Sequence, residues 1–279
     1  MKGSKKRIVY FVAHPSQYYI YKNVANKLDN DFEIVLVYTS KDILNTLVQN
    51  DNLSCQFHEI TLYPQKGFLY SIMNLLIKEF QLFKIVCKYK PQLLIGTSVV
   101  ICHIGFILRK PSVIVNEDDI DVISLSAKLG YPFATRIVSP IICNLGYFEK
   151  KAIKYNGYQK LAYLHPNYFV PDIEIAKRYL PISKNNFLIR LSALSAHHDI
   201  GVKGIDNKSI YELISYLEKY GVVYISSERE LPSDLQRYKL KLNPLHMHHV
   251  LSYVDLLISD SQSMSVEAAI LGIPSIRIS

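Results

Sequence analysis

The sequence predicts an α/β protein built from two Rossmann-like domains that face a cleft. Three observations carry that expectation. Short runs rich in Val, Ile and Leu alternate with longer helical patterns along most of the 279 residues, as in parallel sheets buried on both faces by crossover helices. The alternation breaks around His165-Pro-Asn-Tyr-Phe-Val-Pro171 and then restarts. Hydrophobic residues make up 49% of the chain, enough for two cores of ordinary size.

Taken in order, Arg7–Val12 is the first buried strand and Tyr18–Leu28 the first helix. A strand at Phe32–Val37, a helix at Lys41–Gln49 and a short strand at Gln56–Ile60 follow. Gly67–Tyr89 is a long helix, because Leu69, Ile72, Leu75, Leu76, Phe80, Phe83 and Val86 recur close to a 3.6-residue period and Pro91 stops it. A strand at Gln92–Gly96, a helix at Val99–Leu108 and a strand at Pro111–Val115 continue the pattern, and a less regular stretch follows. In the second half, Asp172–Leu180 is a short helix and Asn186–Leu191 a strand. Ile210–Tyr220 is a helix, Gly221–Ser226 a strand, Leu245–Ser252 a short helix and Val254–Ile258 a strand. The last unit is a helix over about 263–271 and a strand over 274–278. The expected domains are 1–165 and 186–279, joined by a linker at 166–185. A chain ending just after a strand suggests that the second domain is incomplete, since such a strand is normally covered by another helix.

Composition narrows the function. The formal net charge is +8, which suits phosphate-bearing substrates or an anionic surface. No arginine-rich helix, RNA-binding aromatic signature or zinc-finger spacing is present, so no nucleic-acid partner is expected. Cys55, Cys87, Cys102 and Cys143 form no C-x-x-C pair and read as reduced core residues of a cytoplasmic protein. The apolar runs fall short of a membrane span. The expected location is the cytoplasm, with peripheral contact at the inner membrane surface left open.

The most informative segment runs from Ile258 to Pro274. A buried strand ends, a loop of small polar residues follows, and a helix begins that stops at Gly272. Free N–H groups and the positive end of the helix dipole favour a diphosphate there. Ser261, Ser263 and Ser265 add hydroxyls, and the Glu267 carboxylate can take the two hydroxyls of a ribose. The alternative is a serine-capped helix with a dipole-compensating Glu.

Other candidates sit after strands. His14 can act as a general base or cap the first helix. Glu117, Asp118 and Asp119 can abstract a proton or shape a sugar pocket, or else cap the following helix. Arg190 and Ser192 can meet a phosphate, and Ser227 and Glu228 can line a base pocket. His248 and His249 cannot share one helix face, so at most one points at a ligand. His197, His198 and Asp199 lack the spacing of a metal site, and no metal is expected.

The 258–274 run resembles the nucleotide-sugar signature of two-domain (GT-B) glycosyltransferases and of non-hydrolysing UDP-N-acetylglucosamine 2-epimerases. There a loop of Ser and Gly precedes Glu-Ala and a Leu-Gly-x-Pro ending. The resemblance implies that Glu267 binds ribose and that Ser261, Gln262 and Ser263 form the phosphate loop. Gln262 and Ser263 stand where those enzymes carry paired glycines. By spacing, Glu117 corresponds to the acidic residue after the equivalent epimerase strand.

Five further blocks, at 13–22, 154–169, 190–199, 224–228 and 260–263, are similar to an archaeal and bacterial family of unknown function in the same superfamily. That family tends to have Gly before His14, and histidines where this chain has Gln17 and Tyr19. The resemblance implies a glycosyltransferase of surface polysaccharide or lipid-linked glycan synthesis. Its donor would be a nucleotide-sugar such as a UDP-sugar, its acceptor a glycan or lipid-linked glycan, and it would need no separate cofactor. The acceptor side would fall in the N-terminal domain and the donor site in the C-terminal one. An epimerase of the same fold, or a non-catalytic nucleotide-sugar-binding protein, are the alternatives.

Overall fold

The computed structural model describes residues 5–28, 30–39, 44–50, 55–63, 67–192 and 204–278. The chain divides into two compact units, Met1–Tyr163 and Leu164–Ser279.

Unit 1 runs β1 (Lys6–Val12), α1 (Pro15–Leu28), β2 (Phe32–Thr39), α2 (Leu44–Gln49), β3 (Gln56–Ile60), α3 (Phe68–Tyr89) and β4 (Leu93–Gly96). It continues with α4 (Val99–Ile107), β5 (Ser112–Val115), α5 (Ser124–Gly130), β6 (Arg136–Pro140) and β7 (Ala152–Tyr155). Its strands form a parallel seven-stranded sheet in the order β3-β2-β1-β4-β5-β6-β7. Val9, Phe11, Val35, Val37, Leu94 and Ile137 have essentially no exposure and make the core with inward residues of α3, α4 and α5. The strand order reverses between β1 and β4, which makes their carboxyl ends the natural crevice of this sheet.

Short α6 (Leu161–Leu164) spans the boundary. Unit 2 then contains α7 (Ile173–Ala176), β8 (Asn186–Leu191), α8 (Asn207–Leu217), β9 (Val222–Ser227), α9 (Met247–Leu251), β10 (Leu256–Ser259), α10 (Gln262–Ile270) and β11 (Ser275–Arg277). Its parallel four-stranded sheet has the order β11-β10-β8-β9, so its reversal lies between β8 and β10.

Three expectations need correcting. Residues 166–185 are not a free linker, because Leu180 packs in the unit 2 core with Leu188, Val250 and Leu257 and Asp172 caps α7. The irregular stretch after β5 holds two sheet strands, β6 and β7. Of the cysteines, Cys102 and Cys143 are buried, but Cys87 is exposed on the outer side of α3. Burial pushes the Cys102 thiol up to about 12, so it is a packing residue at neutral pH.

Gly221 lies just before β9, close against Asn185, which precedes β8. A Cβ there would stand 2.3 Å from the Asn185 carbonyl oxygen, a backbone atom that cannot swing aside. Gly221→Ala is expected to destabilise unit 2 by about 1–3 kcal/mol through overpacking, read as a lowered thermal midpoint.

Candidate functional site

In unit 2 the segment singled out from the sequence lands at the switch point. β10 ends at Ser259 in register with Arg190 of β8, and α10 starts three residues later. Ser261 is the N-cap, its Oγ accepting from Met264 N–H at 3.5 Å. Its own N–H is held by Ser259 Oγ at 2.8 Å. Capping uses an acceptor lone pair of Ser261 and leaves its O–H able to donate. Gln262 and Ser263 occupy the first turn, where helix N–H groups have no intrahelical acceptor. Ser265 Oγ is buried and has no hydrogen-bond partner among the described residues.

Glu267 differs from the expectation in two ways. It is the sixth residue of α10, so it lies in the second turn and not the first, which removes it as a dipole-compensating residue. It is also only 6% exposed, with Oε2 3.3 Å from Nε2 of His248. The contact with His248 orients the carboxylate. The two neighbouring histidines do part company. His248 meets Glu267, whereas His249 Nδ1 accepts from Asp172 N–H at 3.0 Å. Burial lowers the pKa of His249, favouring the neutral ring that accepts this bond.

Asp260, to which the sequence reading gave no role, is the brace of this crevice. Its side chain is fully buried and pairs with Arg229 at 2.6 Å. It also accepts from Ser192 N–H at 2.6 Å and Ile205 N–H at 3.2 Å. One carboxylate thus ties the ends of β8 and β9 and the approach to α8 to the start of the loop that opens α10. Ser227 Oγ shapes the turn that delivers Arg229, accepting its N–H at 3.1 Å and donating to its carbonyl at 2.7 Å. Arg190 donates to Ser226 Oγ at 2.8 Å and pairs with Glu228. The expected phosphate and base contacts Arg190, Ser192, Ser227 and Glu228 are therefore gathered at two strand ends, Arg190 paired with Glu228, Ser192 bonded to Asp260 and Ser227 to Arg229. His197, His198 and Asp199 lie outside the described residues. No three His, Cys, Asp or Glu side chains converge on a metal-sized site among the described residues.

In unit 1 the carboxylates follow β5. Glu117 Oε1 accepts from Lys160 Nζ at 2.8 Å, and the lysine side chain is 6% exposed against 33% for the glutamate. A lysine so buried needs its partner, so the pair fixes Glu117 in place. Nearby, burial, with the Glu117 charge adding to it, pushes the Tyr155 hydroxyl up to about 12. Asp118 and Asp119 cap no helix, since α5 starts from Ile123 without a side-chain cap. Asp119 instead accepts from Asn144 N–H at 2.7 Å and ties down the loop after β6.

His14 follows β1 and is exposed. Its Nδ1 meets Ser16 N–H at 3.2 Å and Ser16 Oγ at 2.8 Å, contacts with the first turn of α1 that match the capping alternative. Lys160, Arg229 and Asp260 are the residues that sequence reasoning missed. Asp260 and Lys160 stood within the family-like blocks, and nothing local marked Arg229.

With this geometry in place, comparison with known proteins identifies the family. The chain belongs to the family described as a protein of unknown function (DUF354), whose profile matches residues 57–279. A comparison with curated proteins found no match. Among solved structures, the chain is similar to UDP-N-acetylglucosamine 2-epimerase from Rickettsia bellii, with TM-score 0.68 and 13% identity over 99% of this chain and 79% of that one. It is also similar to UDP-GlcNAc 2-epimerase from Methanocaldococcus jannaschii in complex with UDP-GlcNAc and UDP, with TM-score 0.65 and 14% identity over 97% and 83%. MurG from Acinetobacter baumannii follows at TM-score 0.54 and 13% identity over 98% and 78%. At such identities the likeness is one of fold. The DUF354 chain has the GT-B type of architecture, two Rossmann-like units, that the sequence predicted.

Proposed function

We propose that this DUF354 protein is a nucleotide-sugar-dependent glycosyltransferase. One observation carries the reading: the serine-rich start of α10, with Glu267 in its second turn, stands at the topological switch point of the unit 2 sheet. Open parallel sheets bind their ligands outside the carboxyl ends of the strands at that point, and a helix start there suits a diphosphate. N–H groups of Gln262 and Ser263, the Ser261 hydroxyl and the helix dipole take the diphosphate charge. Glu267, steadied by His248, takes the ribose hydroxyls. In transfer, the acceptor hydroxyl gives its proton to a carboxylate base, for which Glu117 is the candidate, as its oxygen bonds to the anomeric carbon. The bond from that carbon to the diphosphate breaks, and the nucleoside diphosphate leaves with its charge met at α10.

Epimerisation, which needs acid and base groups on both faces of the sugar, is the alternative reading on the same fold. The acceptor proposed is a glycan or lipid-linked glycan. Incubation with UDP-N-acetylglucosamine and other nucleotide-sugars, with and without glycan acceptors, tests the reading. Acceptor-dependent release of nucleoside diphosphate is expected. Conversion of the sugar to its 2-epimer without any acceptor would replace it with epimerisation, and binding without turnover would replace it with a binding protein.

A further inference from the structure

Helices α3, α4 and α5 pack side by side. Their inner residues, Leu82 and Val86 of α3, Ile101 and Ile104 of α4, and Ala127 of α5, belong to the unit 1 core. The outer side of α3 is apolar too. Leu69, Ile72, Met73, Leu76, Phe80 and Phe83 are between 38% and 73% exposed and recur at three- and four-residue spacing, which puts them on one stripe. The stripe continues onto α4. Glu79 of α3 joins His103 of α4 at 2.6 Å, and beyond His103 the exposed rings of Phe133 and Phe106 pack 5.1 Å apart. An exposed apolar surface spread over several helices exceeds what a soluble domain ordinarily leaves uncovered.

Its charge says what covers it. From residue 67 to residue 115 there are six Lys and Arg and one carboxylate, Glu79, which is bonded to His103. Lys84, Lys88, Lys90 and Arg109 are exposed, and Lys84 Nζ lies 4.2 Å over the Phe80 ring, a cation held at the edge of the stripe. A second copy would bring like charges together across this face. An anionic bilayer accepts both the apolar stripe and its basic rim. No helix among the described residues is long and apolar enough to cross a membrane, so contact is with the surface.

We propose that the outer face of α3–α5 docks on an anionic lipid surface. This stands independently of the nucleotide site, and either can fail without the other. The test is co-sedimentation of the full chain with vesicles of phosphatidylcholine alone and of phosphatidylcholine mixed with phosphatidylglycerol. Binding to the mixed vesicles, weakened by salt, is expected. The double substitution Leu76→Asp/Phe80→Asp should reduce partitioning about tenfold or more. Lys84→Glu/Lys88→Glu, which leaves the apolar stripe intact, should do the same at about fivefold per charge. Tyr216→Asp, at an exposed site on α8, should change nothing, and thermal melting checks that each variant is folded. Failure to bind mixed vesicles overturns the proposal, as does binding that neither double variant weakens. Concentration-dependent dimerisation abolished by Leu76→Asp/Phe80→Asp, with no vesicle binding, would assign the face to a second copy instead.

Discussion

Asp260→Ala is expected to unfold or severely loosen unit 2, at a cost of about 3–5 kcal/mol, the scale of breaking a buried ion pair from one side. The substitution strips partners from Arg229, Ser192 N–H and Ile205 N–H together. These come from three chain segments, so the lost bonds cannot be replaced by a local shift. Asp260→Asn keeps an acceptor oxygen for Ser192 but removes the charge that faces Arg229. It should therefore fall between wild type and Ala. Urea denaturation monitored by far-ultraviolet circular dichroism reads both. Because Asp260 sets the loop that opens α10, the Asn variant should also bind nucleotide more weakly while still folded. An Asp260→Ala variant as stable as wild type would show that the carboxylate is not the brace of the crevice.

Glu117→Gln is expected to lower the turnover rate by about 10²–10⁴-fold, the range for removing a general base. Nucleotide affinity should stay near wild type, since the diphosphate is assigned to unit 2. Gln keeps the shape and an acceptor but leaves the buried Lys160 ammonium without a counter-charge, so stability should fall more than in Lys160→Met, which leaves only the partly exposed Glu117 carboxylate unpaired. Steady-state kinetics and calorimetry on the same preparation separate the two effects. A Glu117→Gln enzyme with unchanged turnover would move the base to another group.

Most of the fold was legible because its strands are continuous apolar runs with β-branched residues. Asn186–Leu191 was read with its observed boundaries, and the strand–loop–helix at 256–270 within two residues. The two missed strands show where that signal fades. β6 ends in proline, and β7 is a four-residue edge strand carrying Lys154, so neither shows a long buried pattern. In 166–185, prolines at 166, 171 and 181 suggested a linker. Short elements bounded by proline can still pack, as Ala176 and Leu180 do. Periodicity announced α3 but could not say which of its apolar residues face inward, because both sides are apolar.

Among the candidate site residues, Ser261 and Glu267 stood out in the sequence because they share one contiguous motif. The roles of Asp260, Arg229 and Lys160 did not, since they arise from partners 31 to 68 residues away. The same holds for the His248 contact, which turned an open carboxylate into a buried, oriented one. The contacts of His14 with Ser16 likewise came only with the structure.

The central claim is that α10 and Glu267 form the seat of a nucleoside diphosphate. Titration calorimetry of UDP-, GDP-, CMP- and dTDP-sugars against wild type and Glu267→Gln tests it most directly, because Gln preserves an acceptor for His248 and removes only the charge. One nucleotide-sugar should bind wild type and lose about 1–3 kcal/mol of affinity in the variant, as expected for charged hydrogen bonds, at an unchanged melting temperature. Equal affinity for both proteins, or no binding across the panel, would contradict it.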